Sequence, residues 1–118
     1  MQFTQSESIN VLIKQLDERI RTLIPGVQSM DRPGYRSTSY FLSKGMKNEV
    51  CYILCYDQKA NLGFTSGVRL IRHFPFLKGT GKTHRHVPIH DDLLKESTPL
   101  NALILKAFEG DDATHRIL

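Results

Sequence analysis

The chain has 118 residues, of which 40% are hydrophobic, and this amount of apolar material fits one domain with a single core. Charged residues make up 24%, so composition favours neither disorder nor a fibrous protein. No apolar run approaches the roughly 18 residues of a membrane span, and the N-terminal MQFTQSESIN lacks the basic start and apolar core of a signal peptide. We therefore expect a cytoplasmic protein with no membrane partner. One domain would cover residues 1–118, with its core over about 5–109 and a frayed tail over 110–118.

The first predicted element is an amphipathic helix over residues 9–24. Apolar side chains recur there at steps of three and four, which makes one apolar stripe. They are Ile9, Leu12, Ile13, Leu16, Ile20, Leu23 and Ile24. Thr4 and Glu7 have the spacing of a capping box, and Pro25-Gly26 ends the helix. A helix with one apolar stripe must pack on a partner, and we expect that partner to be a sheet.

Three strands are predicted next, over residues 35–42, 49–56 and 60–65. The turn-forming residues between them are few enough for antiparallel hairpins. In the middle strand Cys51, Ile53 and Cys55 share one face, while Tyr52 and Tyr56 share the other. We expect the tyrosine face to line a wet concavity or to be covered by the long segment that follows the third strand.

The two cysteines are not expected to form a disulfide. Four residues of strand separate the Cα atoms of Cys51 and Cys55 by about 13 Å. A disulfide needs Cα atoms within about 7 Å of each other. Two buried free thiols fit a reducing compartment.

A further strand is predicted over residues 84–90. Val87 and Ile89 would point to the core, with Arg85 on the same side, while His84 and His86 would share the opposite face. The histidines would then lie on the solvent side of the sheet.

A second helix is predicted after a turn at Asp91-Asp92. Thr98 would cap this helix, Pro99 would occupy its first position and Gly110 would end it. Its core stripe would be Leu100, Leu103, Ile104, Ala107 and Phe108. The order of elements predicts an α+β fold, an antiparallel sheet of about four to five strands flanked by an N-terminal and a C-terminal helix.

Charge is distributed unevenly along a chain whose net charge is +4. From Gln58 to His90 there is no acidic residue. The basic residues of that segment are Lys59, Arg69, Arg72, Lys78, Lys82 and Arg85, with His73, His84, His86 and His90. Folded onto one surface, the segment would attract anions. The alternative is a set of solvated side chains around a loop.

The stretch LKGTGKTHRHVPI, residues 77–89, contains the end of a nucleotide-binding P-loop motif, Gly81-Lys82-Thr83. A P-loop also requires a glycine five positions before Gly81, and Phe76 stands there. The loop should open a helix, whereas a strand is predicted here. The P-loop interpretation is therefore excluded.

The same turn can still bind an anion. Gly79 and Gly81 can take positive φ, and such turns can direct successive amide N–H groups at one point. Thr80, Lys82 and Arg85 would add donors and charge, so a carboxylate or phosphate is the expected ligand. The alternative is a turn that only reverses the chain, with Arg85 bonded to carbonyl groups.

His84 and His86 on one strand face are candidate metal ligands, and His73 or His90 could add a third. No nearby acid completes the set, the neighbouring side chains are cationic, and the cysteines lack zinc-site spacing. We therefore expect no cofactor, with iron as the alternative.

Catalysis and nucleic-acid binding are not expected. The cysteines belong to a strand interpreted as buried, so no nucleophile and base are predicted to meet. Stacking platforms for single strands need exposed aromatic side chains, whereas aromatic residues at strand spacing are typical of a core. A binding module is expected rather than an enzyme.

Four segments, in order, carry a family resemblance. They are Leu23-Ile24-Pro25, Pro33-Gly34-Tyr35, VCYILCYDQKANLGF over 50–64, and LKGTGKTHRHVPI. On these segments the chain resembles the YdhG-like proteins (domain of unknown function 1801). The resemblance implies a small α+β fold similar in outline to frataxin, and some relatives are described as iron chaperones. Iron binding of the frataxin type uses an acidic surface, and the acids here form no dense ridge.

The leading hypothesis is a small binding module of the YdhG-like type. It would bind an anion or another small ligand through the Gly79–Arg85 turn beside the tyrosine face. The predicted ligand-binding residues are Thr80, Gly81, Lys82, Arg85, His86 and Tyr52. One alternative is a frataxin-like iron chaperone with His84 and His86 as metal ligands. Another is a protein-interaction subunit, which includes a homodimer formed through a sheet face or edge.

Overall fold

The computed structural model describes residues 7–43, 48–56, 58–95 and 97–109, which form one antiparallel sheet and three α-helices. The elements are α1 Glu7–Leu23, β1 Gln28–Arg32, β2 Ser37–Phe41, β3 Cys51–Tyr56, β4 Lys59–Phe64, β5 Arg85–Pro88, α2 Asp91–Lys95 and α3 Ser97–Glu109. Short 3-10 helices cover Pro33–Tyr35 and Gly67–Leu70. The predicted α+β class is confirmed, since one helix precedes the antiparallel sheet in the chain and two follow it.

The five strands lie in chain order, and each pairs antiparallel with the next. Across the middle of the sheet Tyr40 lies opposite Cys51, and Cys51 lies opposite Phe64. Since side chains alternate between faces, this register brings one set of apolar residues onto one face. The buried members of that face are Tyr40, Cys51, Ile53, Cys55, Ala60, Leu62, Phe64 and Val87.

The helices cover that face with the apolar stripes that the sequence predicts. In α1 the buried residues are Ile13, Leu16 and Ile20. In α3 the predicted stripe Leu100, Leu103, Ile104, Ala107 and Phe108 is buried throughout. No helix of the described residues has the length and apolar character needed to cross a membrane.

Both cysteines are buried and free, as expected for residues four apart on one strand. Burial raises the pKa of both thiols, and the effect is larger for Cys51, where the neighbouring Glu49 carboxylate acts in the same direction. The thiols are therefore protonated at neutral pH and behave as small apolar groups.

The structure adds a strand and moves one boundary. β1, with the sequence QSMDR, pairs over its whole length with β2 although it has no apolar alternation. The strand predicted over 35–42 begins only at Ser37, because Tyr35 belongs to a 3-10 helix and Arg36 has a φ of 53°, outside the strand region. β5 is also shorter than predicted.

The C-terminal helical region differs from the prediction. Asp91-Asp92 opens the short helix α2 instead of a simple turn. α3 begins at Ser97, so Pro99 is its third residue and not its first. Proline is tolerated there because the first-turn N–H groups have no partner within the helix. Thr4, Gly110 and the tail over 110–118 lie outside the described residues.

A polar contact joins α1 to the sheet near β1. The hydroxyl group of Tyr40, on β2, donates to Asp17 Oδ1 over 2.5 Å. Asp17 Oδ2 accepts from Arg21 Nε over 3.0 Å, and Arg21 also donates to the Ser29 hydroxyl oxygen. The buried tyrosine therefore has a charged acceptor, which offsets the cost of removing its hydroxyl group from water.

Candidate functional site

The Gly79–Arg85 turn is closed at its base by a short backbone bridge. Lys78 N donates to His86 O over 2.8 Å, and His86 N donates to Lys78 O over 2.9 Å. Gly79 follows with a φ of +126°, and a Cβ there would lie 3.3 Å from the His84 carbonyl oxygen. Glycine is therefore favoured at this position by its backbone conformation, and a side chain would also crowd the His84 carbonyl oxygen.

Arg85 braces the turn. Its Nη1 donates to the carbonyl oxygens of Gly81 and His84, and each distance is 2.6 Å. This is the competing structural role expected for Arg85. A guanidinium group has five N–H donors, and the remaining donors on Nε and Nη2 have no hydrogen-bond partner within the described part of the chain. The same side chain can thus hold the turn and still contact an anion.

The other predicted ligand residues divide between two places. Thr80, Gly81 and Lys82 are exposed on the turn itself. Tyr52 and His86 lie on the sheet face that points away from the helices, whereas the register puts Arg85 on the helix side. Tyr52 is thus on the opposite face of the sheet from Arg85. At the β5 edge, however, both Arg85 and His86 approach Gly79, because a Cβ there would lie 3.4 Å from Arg85 Cδ and 3.6 Å from His86 Nδ1.

Tyr52 lies across Gly63, and this fixes its orientation. A Cβ added at Gly63 would lie 2.2 Å from a ring carbon of Tyr52, so the ring occupies the space that a larger residue would need. The Tyr52 hydroxyl is 2.9 Å from Nδ1 of His84, and the pair is hydrogen bonded. The pKa of Tyr52 is raised mainly by partial burial and to a smaller extent by the charge of Glu49. The Tyr52 hydroxyl group is therefore neutral at pH 7.

Among the described residues, no further metal-ligating side chains join His84 and His86 to complete a metal site. His84 Nδ1 is engaged by Tyr52. The carboxylate of Glu49, on the same side of the sheet, accepts from the hydroxyl groups of Ser39 and Thr65. In the part of the chain that the structure describes, no three His, Cys, Asp or Glu side chains come together in a way that could hold a metal ion.

The acid-free segment builds a groove at the β5 side of the sheet. We call it the basic groove. Its polar lining consists of Arg69, Arg72, His73 and Arg85, and its volume is about 940 Å³. Gly79 belongs to the same lining, so the turn forms part of the wall. Among the residues that the structure describes, no carboxylate lines this groove.

Close packing against β5 positions the arginines of the groove. A Cβ at Gly67 would lie 2.6 Å from Arg85 Cβ and 2.7 Å from Arg85 N, so this glycine lets the 3-10 helix approach the strand. Val68 N donates to Thr83 O over 2.9 Å. Leu70 and Leu77 are buried in the core and anchor both ends of the intervening segment.

Arg69 and Arg72 were not predicted as site residues. The segment has neither helical nor strand periodicity, so the sequence does not say which side chains share a face. The available signal was the absence of acids between Gln58 and His90.

Two other concavities carry charges of both signs. The one between α1 and the α2–α3 region is lined by Glu18 and Asp91 together with Arg19 and Lys95. The one between α1 and β1 is lined by acidic and basic side chains in the same way. Carboxylates and cations thus line both of these concavities, whereas the described lining of the basic groove contains arginines and no carboxylate.

No family model, curated protein or solved structure matches this chain. The resemblance to the YdhG-like proteins therefore stays a prediction from the four quoted segments.

Proposed function

We propose that this protein is a non-enzymatic binding module for small anions and that the basic groove is its binding site. The observation that carries the proposal is that three arginines and a histidine line one groove to which the described part of the chain contributes no carboxylate. Side chains of one sign in a concave surface raise the local concentration of the opposite charge. The planar guanidinium donors of Arg69 and Arg72 suit a phosphate or carboxylate.

The Gly79–Arg85 turn forms one side of this proposed site. Arg85 would contribute the donors that it does not use for bracing the turn. Thr80, Gly81 and Lys82, which are exposed beside it, would add a hydroxyl group, amide donors and charge. In this proposal Tyr52 lies on the sheet face that points away from the helices, and the His86 ring borders the turn beside Gly79. A cytoplasmic location and a relation to the YdhG-like proteins are part of the proposal, supported by the free cysteines and the quoted segments.

The test is a titration with inorganic phosphate, in which the arginine Nε–Hε signals in NMR spectra report binding. We expect the signals of Arg69 and Arg72 to shift at low ionic strength, and the shifts to weaken with added salt because exposed charges are screened. The double variant Arg69→Ala/Arg72→Ala should lose at least about tenfold in affinity, the equivalent of one charge-assisted hydrogen bond.

The matched control is Lys14→Ala/Lys95→Ala, which removes the same charge from exposed positions on α1 and α2. Equal losses in the two double variants would mean that only net charge matters, and this result would refute a site in the groove. The iron alternative is tested with ferrous ion in the same experiment. Iron binding predicts loss with His86→Ala and no effect of Lys82→Ala, whereas anion binding predicts the reverse.

A second function, self-association through β1, is favoured by the sheet edges. The outer edge of β5 is covered by the bridge to Lys78, whereas β1 pairs only with β2 among the described strands. A free edge can add a strand from another molecule. A two-fold axis at Met30 would set Ser29 opposite Asp31 and Gln28 opposite Arg32, without a contact between like charges.

Sedimentation velocity tests this second function. We expect a dimer at high concentration and a monomer in Met30→Lys, because two lysines would meet at the axis. Val11→Lys, at a similarly exposed position on α1, should leave the dimer intact. A wild-type protein that stays monomeric at high concentration would exclude self-association.

A further inference from the structure

The basic groove has apolar walls as well as cations. Val68, Ile71 and Leu77 line it together with the arginines. Val68 is 36% exposed and Ile71 is 38% exposed, so both are open to a ligand. Phe76 is also exposed and stacks edge-on against Phe74, with ring centroids 6.0 Å apart.

This concentration of apolar surface is unusual for the molecule. Eight large hydrophobic residues are exposed among those described, and three of them, Val68, Ile71 and Phe76, fall within nine consecutive residues. Single exposed apolar side chains are ordinary, but clusters beside polar groups mark binding surfaces. In this cluster Arg69 and Arg72 alternate with the apolar residues along the chain.

We infer that the ligand of the groove is an amphipathic anion, a phosphate monoester or carboxylate that carries a short apolar chain. The inference rests on the proposed function, because it assigns the anionic end to Arg69, Arg72 and Arg85. The apolar chain lies against Val68 and Ile71. An inorganic anion would satisfy the arginines and leave this apolar surface in contact with water, so the two features together select a ligand with both parts.

The gain from the chain can be stated as a ratio of affinities. A fully buried methylene improves binding about fourfold, and one that is half buried improves it about twofold. The groove is open, so half burial is the appropriate case. Hexyl phosphate should then bind about 10- to 60-fold more tightly than inorganic phosphate.

The experiment compares inorganic phosphate with hexyl phosphate, below its micelle concentration, by titration against the whole chain. The groove variant is Val68→Ser/Ile71→Ser, and the control is Val11→Ser/Leu105→Ser, which removes somewhat more exposed apolar groups elsewhere. We expect the groove variant to lose the gain from the hexyl chain, so that the ratio of its affinities for hexyl phosphate and inorganic phosphate falls toward one. The control should keep that gain. Thermal unfolding of each variant checks that the fold is intact.

The outcomes separate this inference from the proposed function. If neither ligand binds, the proposed function is refuted and the inference falls with it. If phosphate binds and the hexyl chain adds nothing, or if the gain survives in the groove variant, the inference alone is overturned. A membrane surface is another source of anions with apolar chains. Binding to phosphatidylglycerol vesicles without any preference for soluble hexyl phosphate would also overturn it.

Discussion

Gly67→Ala is expected to separate the 3-10 helix from β5 and to destabilise the protein. The new methyl group would lie 2.6 Å from Arg85 Cβ, 2.7 Å from Arg85 N and 3.0 Å from Arg85 Cα. These atoms belong to a paired strand or are attached directly to it, so no side-chain rotation relieves the contact. The two backbones must move apart, and the hydrogen bond from Val68 N to Thr83 O is lengthened or lost.

The cost follows from the overpacking and the hydrogen bond. Overpacking of a close contact costs about 1–3 kcal/mol, and the lost bond adds about 0.5–1.5 kcal/mol. The sum is about 1.5–4.5 kcal/mol, which at about 4–5 °C per kcal/mol lowers the unfolding midpoint of a domain of this size by about 6–22 °C. Thermal unfolding followed by circular dichroism measures this shift.

Gly34→Ala is the matched control, since a Cβ at Gly34 has no neighbour within 4 Å and its φ is not positive. We expect that variant to unfold within about 2 °C of the wild type, as for other surface changes. Equal midpoints for the two variants would refute the close approach of the 3-10 helix to β5. Reduced phosphate binding in Gly67→Ala, at a temperature where it is folded, would connect this packing to the groove.

Three other perturbations test further contacts. Tyr40→Phe removes the donor to a charged acceptor on α1 and should cost about 1–3 kcal/mol in urea unfolding, whereas Tyr35→Phe, at an exposed position, should cost almost nothing. Burial raises the pKa of Tyr40 and Cys51 above their ordinary values of 10.0 and 9.0. Since the unfolded chain loses these protons first, the unfolding free energy should fall above pH 9, by up to about 1.4 kcal/mol per pH unit for each group. Cys51→Ala should reduce the slope of unfolding free energy against pH. A profile that stays flat to pH 11 would contradict the burial of these groups. Gly63→Ala should displace the outer end of the Tyr52 ring and break its hydrogen bond to His84, at a cost of about 0.5–1.5 kcal/mol, and an unshifted Tyr52 ring signal in NMR spectra would contradict the contact.

Local patterns determined the elements that carry the core. The stripe of α1 and the alternation of Cys51, Ile53 and Cys55 each specify a buried face without reference to the rest of the chain. Their periods of 3.6 and 2 are properties of the backbone conformations themselves. For this reason the α+β class, the buried stripe of α3 and the separate, unbonded cysteines could be predicted from the sequence.

Tertiary structure decided the remainder. β1 has no apolar alternation, and it is a strand because its backbone pairs with β2. The pairing register of the strands also decided which residues share the candidate site, because adjacent residues of a strand point to opposite faces of the sheet. Arg85 and His86 are neighbours in sequence, and the register assigns them to opposite faces of β5, yet both side chains approach Gly79 at the edge of the sheet. Arg69 and Arg72 meet Arg85 only because Gly67 lets an irregular segment pack closely on β5, and such long-range contacts leave no periodic pattern in the sequence.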